Sequence, residues 1–135
     1  MAQTETETET AQSDAALDAL EHLSDVTNSS IEGLTEVNVQ LDSALRRLGQ
    51  GWSWHRIVSS TDLAGCMAAL ASIGASLARA GGGFRRSLAQ ALRDEGIRVT
   101  EIGGFLAVSR QRVSALLRHQ RAADTTGPVP SDAIR

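Results

Sequence analysis

The sequence predicts an all-α protein with a long N-terminal helical segment, a buried helix and a C-terminal unit of three helices. Three observations support this fold class. Apolar side chains recur at heptad spacing between Ser13 and Leu48, a pattern typical of coiled-coil-like helices. Residues 63–78 run for 16 positions without a charge. Two short segments with helical apolar spacing then meet at a tight turn near Ala107.

The N-terminal half predicts an acidic tail followed by a helical dimerisation region. Residues 1–12 contain an alternating Thr-Glu run with nothing to bury, so we expect them to be disordered. Residues 13–80 form the expected dimerisation region, and Asn38 stands where a polar residue can fix the register of a coiled coil. The polar residues near 27–31 leave two alternatives, one long helix or two shorter ones. The expected dimer contacts are Leu17, Leu20, Ile31, Leu34, Asn38, Leu41, Leu45 and Leu48.

Both tryptophans of the chain, Trp52 and Trp54, follow this region. One interpretation makes them a ligand platform or a hot spot for a partner. The favoured one makes them, with Ile57 and Val58, an apolar plug at the junction between helices.

The uncharged run at residues 63–78 predicts a buried helix, with Cys66 as a packed side chain. It is shorter than the roughly 20 apolar residues that a bilayer requires, so we expect no membrane span. The three glycines at residues 81–83 predict a break in the chain and a domain boundary.

Charge is distributed unevenly along the chain, although the formal net charge is only −3. Residues 1–45 carry ten acidic side chains and no arginine, whereas residues 83–122 carry eight arginines. The basic half has the sign that a polyanionic partner requires. The three histidines, His22, His55 and His119, lack metal-ligand spacing, and no enzyme constellation is visible. We therefore expect a cytoplasmic protein that is not an enzyme and has no cofactor and no metal.

Residues 100–118 carry the motif that points to a function. Thr100 is the expected N-cap of a first short helix, and Gly103 is the small residue needed where the two helices nearly touch. Ser109 is the expected N-cap of a second helix over residues 109–119. Apolar side chains form the inside, at Ile102, Leu106, Val108, Val113, Leu116 and Leu117. Polar side chains point outward, at Ser109, Arg110, Gln111, Arg112, Ser114 and Arg118.

Residues 84–119 resemble the tri-helical helix-turn-helix domains of bacterial transcription regulators. The run from Val108 to Val113, Val-Ser-Arg-Gln-Arg-Val, is similar to the start of the recognition helix in sigma-factor region 4. Ala107 stands where the family usually has glycine, so either an alanine carries positive φ here or the turn differs. The resemblance implies a DNA-binding domain at residues 84–121, followed by a flexible tail at residues 122–135. The expected DNA contacts are Thr100, Ser109, Arg110, Gln111, Arg112, Ser114, Arg118, Arg85 and Arg86.

These features favour a sequence-specific transcription regulator that binds the major groove of double-stranded DNA as a homodimer. RNA polymerase or another regulator is a further candidate partner. Two alternatives stay open: an architectural protein of the nucleoid, and a protein–protein interaction module that uses the motif and the acidic helix.

Overall fold

The structure is a computed structural model that describes the backbone of residues 2–125 and the side chains of residue 7 and residues 9–118. It contains five helices in this range, α1 (Ala2–Gly49), α2 (Trp54–Ser60), α3 (Leu63–Asp94), α4 (Val99–Leu106) and α5 (Arg110–Thr125). No strand occurs within residues 2–125, so the predicted all-α class is confirmed.

The chain divides into two compact units, and both boundaries lie inside helices. The hairpin unit is Glu21–Gly81, and the terminal unit combines Met1–Leu20 with Gly82–Arg135. The second boundary falls within the glycine triplet, but α3 continues through it. The expected helix break there is therefore wrong. Each glycine costs about 1 kcal/mol of helix propensity relative to alanine, and the alanine- and leucine-rich turns on both sides outweigh this cost.

The longest helix, α1, is continuous from Ala2 to Gly49. Residues 2–12 are therefore helical, not disordered as expected, since glutamate is a strong helix former and is favoured near a helix N-terminus. No break occurs near residues 27–31 either. The hydroxyls of Thr27, Ser30 and Thr35 each donate to the carbonyl four residues earlier, at 2.6–2.7 Å. Their polar groups are thus satisfied inside the helix.

In the hairpin unit, α1 packs against α3 along a face with seven-residue spacing. Ser30, Val37 and Ala44 are buried on this face. A Cβ atom at Gly33 would lie 2.9 Å from Cδ1 of Ile73, so the two helices approach closely here. We call this face the intrachain seam. The predicted dimer contacts form two heptad rows, one through Ile31, Asn38 and Leu45 and the other through Leu34 and Leu41. The seam lies one residue before the first row, and both rows stay at the surface of the single chain. Exposed members of the rows are Leu17, Leu20, Ile31, Leu34, Asn38, Leu41 and Leu45, and Leu48 is half-buried.

The first half of α3 is mostly exposed, so the expected buried helix is wrong. Cys66 is buried as predicted, but Met67 is 65% exposed and Leu70 is 40% exposed. The reason is that α1 covers only one side of α3. By length and composition alone, α3 could cross a membrane, with a mean hydropathy of 1.4 over a window that is 11% buried.

The junction between α1 and α3 is built around α2 and one of the two tryptophans. Two guanidinium groups lie against the ring of Trp52: the Cζ atoms of Arg56 and Arg47 are 3.6 Å and 4.8 Å from its centroid. Arg47 also donates to the Thr61 hydroxyl at 3.2 Å. Of the expected apolar plug, Ile57 is fully buried as predicted, whereas Trp52 is half-buried and has two guanidinium groups at its ring. The prediction is wrong for two side chains that point to solvent, Trp54 and Val58.

Candidate functional site

Three helical segments of the terminal unit share one apolar core. Ala89 of α3, Ile102 of α4, and Val113 and Leu117 of α5 form its centre. Leu116 is also buried, as predicted. The core is closed by Leu92, Ile97, Val99, Leu106 and Val108. This packing fixes α4 and α5 relative to each other.

The turn between α4 and α5 is set by one residue in a left-handed conformation. Ala107 has φ 55° and ψ 40°, so the alanine does carry positive φ. The Val108 N–H donates to the Gly103 carbonyl at 2.9 Å and closes the turn. A non-glycine residue in this region costs roughly 1–2 kcal/mol, which the surrounding packing must offset.

Gly103 is the point of closest approach between α4 and the turn. A Cβ atom there would lie 2.8 Å from the Val108 carbonyl oxygen and 3.6 Å from Cγ2 of Val113. The predicted close contact is therefore confirmed. The neighbouring Gly104 meets nothing within 4 Å, so no contact requires a glycine at that position.

The caps of the two short helices differ. Ser109 caps α5, since its hydroxyl accepts from the Arg112 N–H at 3.1 Å, as predicted. Thr100 is not the cap of α4, because the helix begins at Val99 and Arg98 occupies the N-cap position without a side-chain cap bond. The Ile97 N–H donates to the Leu92 carbonyl at 3.0 Å in the turn after α3, and Arg98 has an extended backbone immediately before α4. Thr100 lies exposed in the first turn.

The structure brings part of the predicted contact set together at the start of α5. Ser109, Arg110, Gln111 and Arg112 are consecutive and exposed there. Ser114 is half-buried and Arg118 is exposed farther along the same helix. Arg85 and Arg86 are half-buried on α3, and the Arg86 guanidinium folds back towards Gly82. Three members of the set are therefore less accessible than expected: Ser114, Arg85 and Arg86.

A second group of arginines lies beside α5. Arg93 at the end of α3, Arg98 before α4 and Arg118 of α5 line a cleft of about 370 Å³, together with Ser114. We call it the basic cleft; its apolar lining is Ile97, Val99 and Leu117. Arg93 and Arg98 were not among the predicted contacts, and only the overall basicity of residues 83–122 indicated them. Arg98 lies 4.0 Å from Glu101, and both side chains are largely exposed.

The hairpin unit carries an apolar groove of about 420 Å³ beside the intrachain seam. Ile31, Leu34, Asn38 and Leu41 of the predicted dimer contacts line it, with Thr35, Val37 and Leu70. Among the described side chains, no group of three or more histidine, cysteine or acidic residues could hold a metal ion.

Comparisons with protein-family models, with curated proteins and with solved structures found no match to this chain. Its function must therefore be inferred from its own side chains and their surroundings.

Proposed function

We propose that this chain is a sequence-specific DNA-binding regulator of transcription. In this proposal α4 and α5 act as a helix-turn-helix, with α5 as the recognition helix in the major groove. One observation carries it: Arg110, Gln111 and Arg112 lie exposed and consecutive at the N-terminal turn of α5. The Gly103 contact and the left-handed Ala107 hold that turn against a packed core.

The exposed side chains have the chemistry that base edges require. Arginine can donate two hydrogen bonds to guanine, and glutamine can pair with adenine through its amide. Neither Arg110 nor Arg112 forms an ion pair with any described side chain, so their donors are available to a ligand. Surface arginines without partners are also suited to phosphates, which position a protein on DNA.

A homodimer is the second part of the proposal, and the exposed heptad row on α1 supports it. Ile31, Leu34, Leu41 and Leu45 are large apolar side chains that remain 38–67% exposed in the single chain. A second α1 with the same spacing is self-complementary to this row, and Asn38 lies within it as a register-fixing residue. A dimer with two-fold symmetry would place two copies of α5 on half-sites about one helical turn apart, or a multiple of one.

The charge of α1 disfavours a membrane surface as the alternative partner of its exposed heptad rows. The helix carries acidic side chains along its length, it has no lysine, and its first arginine is Arg46. Helices that lie on anionic lipid surfaces are instead rich in lysine and arginine. We place the protein in the cytoplasm, at the nucleoid, where RNA polymerase or another regulator is an additional candidate partner.

The decisive experiment selects duplexes from a random library with the full chain, followed by titration of a selected and a scrambled duplex. We expect Gln111→Ala and Arg112→Ala each to weaken the selected duplex by about 1–3 kcal/mol, roughly 5- to 150-fold, and to relax one base position. Gln50→Ala is the matched control, because Gln50 is an exposed glutamine of the hairpin unit.

Other outcomes would favour the alternative functions. Equal affinity of the wild-type chain for both duplexes, with equal losses in both variants, would support an architectural role. Absence of duplex binding would overturn DNA binding and favour a protein-interaction module.

A further inference from the structure

Three guanidinium groups from separate parts of the chain line the basic cleft. Arg93 lies in the last turn of α3, Arg98 immediately precedes α4, and Arg118 is two turns into α5. The half-buried hydroxyl of Ser114 lines the same cleft. The packed core beneath holds these segments together, so the grouping of the three charges follows from the fold and not from chance side-chain motion.

Such a grouping of cationic side chains is suited to an anion. The three arginines are exposed, so they present positive charge to a ligand, and Ile97, Val99 and Leu117 form the apolar lining beside them. The one acidic neighbour in the described ion pairs is Glu101, at 4.0 Å from Arg98. Because that pair is largely exposed, it holds Arg98 only weakly and leaves its guanidinium available to an anion.

We propose that the basic cleft is a phosphate site and that it holds one backbone phosphodiester of the bound DNA. This inference rests on the proposed function and adds Arg93 and Arg98 to the contacts. Phosphate oxygens accept paired hydrogen bonds from guanidinium groups, and the Ser114 hydroxyl can donate one more. A volume of about 370 Å³ also leaves room for the sugars on either side, whose carbon atoms can pack on the apolar lining.

The cleft has a different task from the start of α5. Phosphate contacts fix the position of a protein on the duplex, but they carry no sequence information. Gln111 and Arg112 would read bases, whereas Arg93 and Arg98 would anchor the backbone equally well on any sequence. The two sets of side chains therefore predict different responses to salt and to sequence.

The test measures dissociation constants of the full chain for a selected and a scrambled duplex between about 50 and 200 mM salt, where phosphate contacts change the affinity strongly. We expect Arg93→Ala and Arg98→Ala each to weaken both duplexes by the same factor and to reduce the slope of log affinity against log salt by about 1. Arg79→Ala is the matched control, since Arg79 is an exposed arginine of α3 outside the cleft, and we expect no change. Unchanged unfolding midpoints would show that the variants fold normally.

The outcomes separate this inference from the proposed function. If the duplexes bind but both cleft variants keep the wild-type slope, the phosphate site is overturned and DNA binding stands. If the wild type binds no duplex, calorimetry with inorganic phosphate and pyrophosphate decides. Binding that Arg93→Ala abolishes would support a site for a free phosphate, and absence of binding would overturn the site as well.

Discussion

The contact at Gly103 gives the sharpest test of the packing between α4 and the turn. Two glycines are adjacent in α4, and only one of them touches the turn. A Cβ atom at Gly103 would lie 2.8 Å from the Val108 carbonyl oxygen, whereas one at Gly104 would meet nothing within 4 Å. Gly103→Ala and Gly104→Ala are thus the same substitution in the same helix, but only the new methyl group at residue 103 would contact the turn.

The expected difference follows from two opposing effects. Replacing glycine by alanine inside a helix stabilises it by about 1 kcal/mol, and this gain applies to both variants. At Gly103 the carbonyl of Val108 must also move by several tenths of an ångström. This movement strains the turn, because the Val108 N–H donates a hydrogen bond to the carbonyl of Gly103 at 2.9 Å. Overpacking of this kind costs about 1–3 kcal/mol, so Gly103→Ala is expected to be less stable than Gly104→Ala by that amount.

Thermal unfolding and amide exchange measure this difference. A chain of 135 residues shifts its Tm by roughly 4 °C per kcal/mol, so the two variants are expected to differ by roughly 4–12 °C. Exchange of the Val113 amide gives a local measurement, since its N–H donates to the Ser109 carbonyl at 3.1 Å beside the contact. Equal stability of the two variants would refute the argument that the turn presses on α4 at Gly103.

Three further experiments test other parts of the fold. Ala107→Gly removes the left-handed strain and is expected to raise stability by about 0.5 kcal/mol in urea unfolding, whereas Ala115→Gly inside α5 is expected to lower it by about 1 kcal/mol. Leu45→Glu is expected to dissociate the proposed dimer in sedimentation. Val39→Glu is the control, because Val39 is also exposed but lies off the heptad rows, and it is expected to leave the dimer intact. A dimeric Leu45→Glu chain would contradict the proposed interface. Ile57→Ala is expected to lower the free energy of unfolding by about 2–5 kcal/mol, and a neutral result would show that the junction is loosely packed.

Local chemistry made the turn and the second cap predictable from sequence. Ser109 precedes a helical apolar pattern, and a serine in that position commonly accepts a hydrogen bond from the backbone N–H three residues later, here that of Arg112. Gly103 and Val108 were predictable for a similar reason, because two short helices can meet at a tight turn only where one side chain is absent. The start of α4 was not predictable from the capping preference of Thr100. The hydrogen bond from the Ile97 N–H to the Leu92 carbonyl closes the turn after α3, and α4 then begins at Val99, before Thr100.

Longer-range features were less visible in the sequence. The glycine triplet and the polar residues near 27–31 are unfavourable in isolated helices, but each lies within a helix of more than thirty residues. In such a helix many neighbouring turns share the cost of a few poor positions. Arg93 and Arg98 belong to the basic half but were not predicted as contacts, because they are distant in sequence from Arg118 and only the fold brings the three together.

The two faces of α1 give the strongest physical argument for a further partner. Successive residues of an α-helix are about 100° apart, so the intrachain seam and the predicted heptad row are neighbouring faces that together span more than a third of the circumference. Val37 and Ala44 on the first face are buried against α3, while Asn38 and Leu45 on the second, one residue later, are exposed. One neighbouring helix cannot cover an apolar arc of this width. A helix with such an arc is stable in water when it has neighbours on two sides. The chain supplies one of them in α3, and we propose that α1 of a second copy supplies the other.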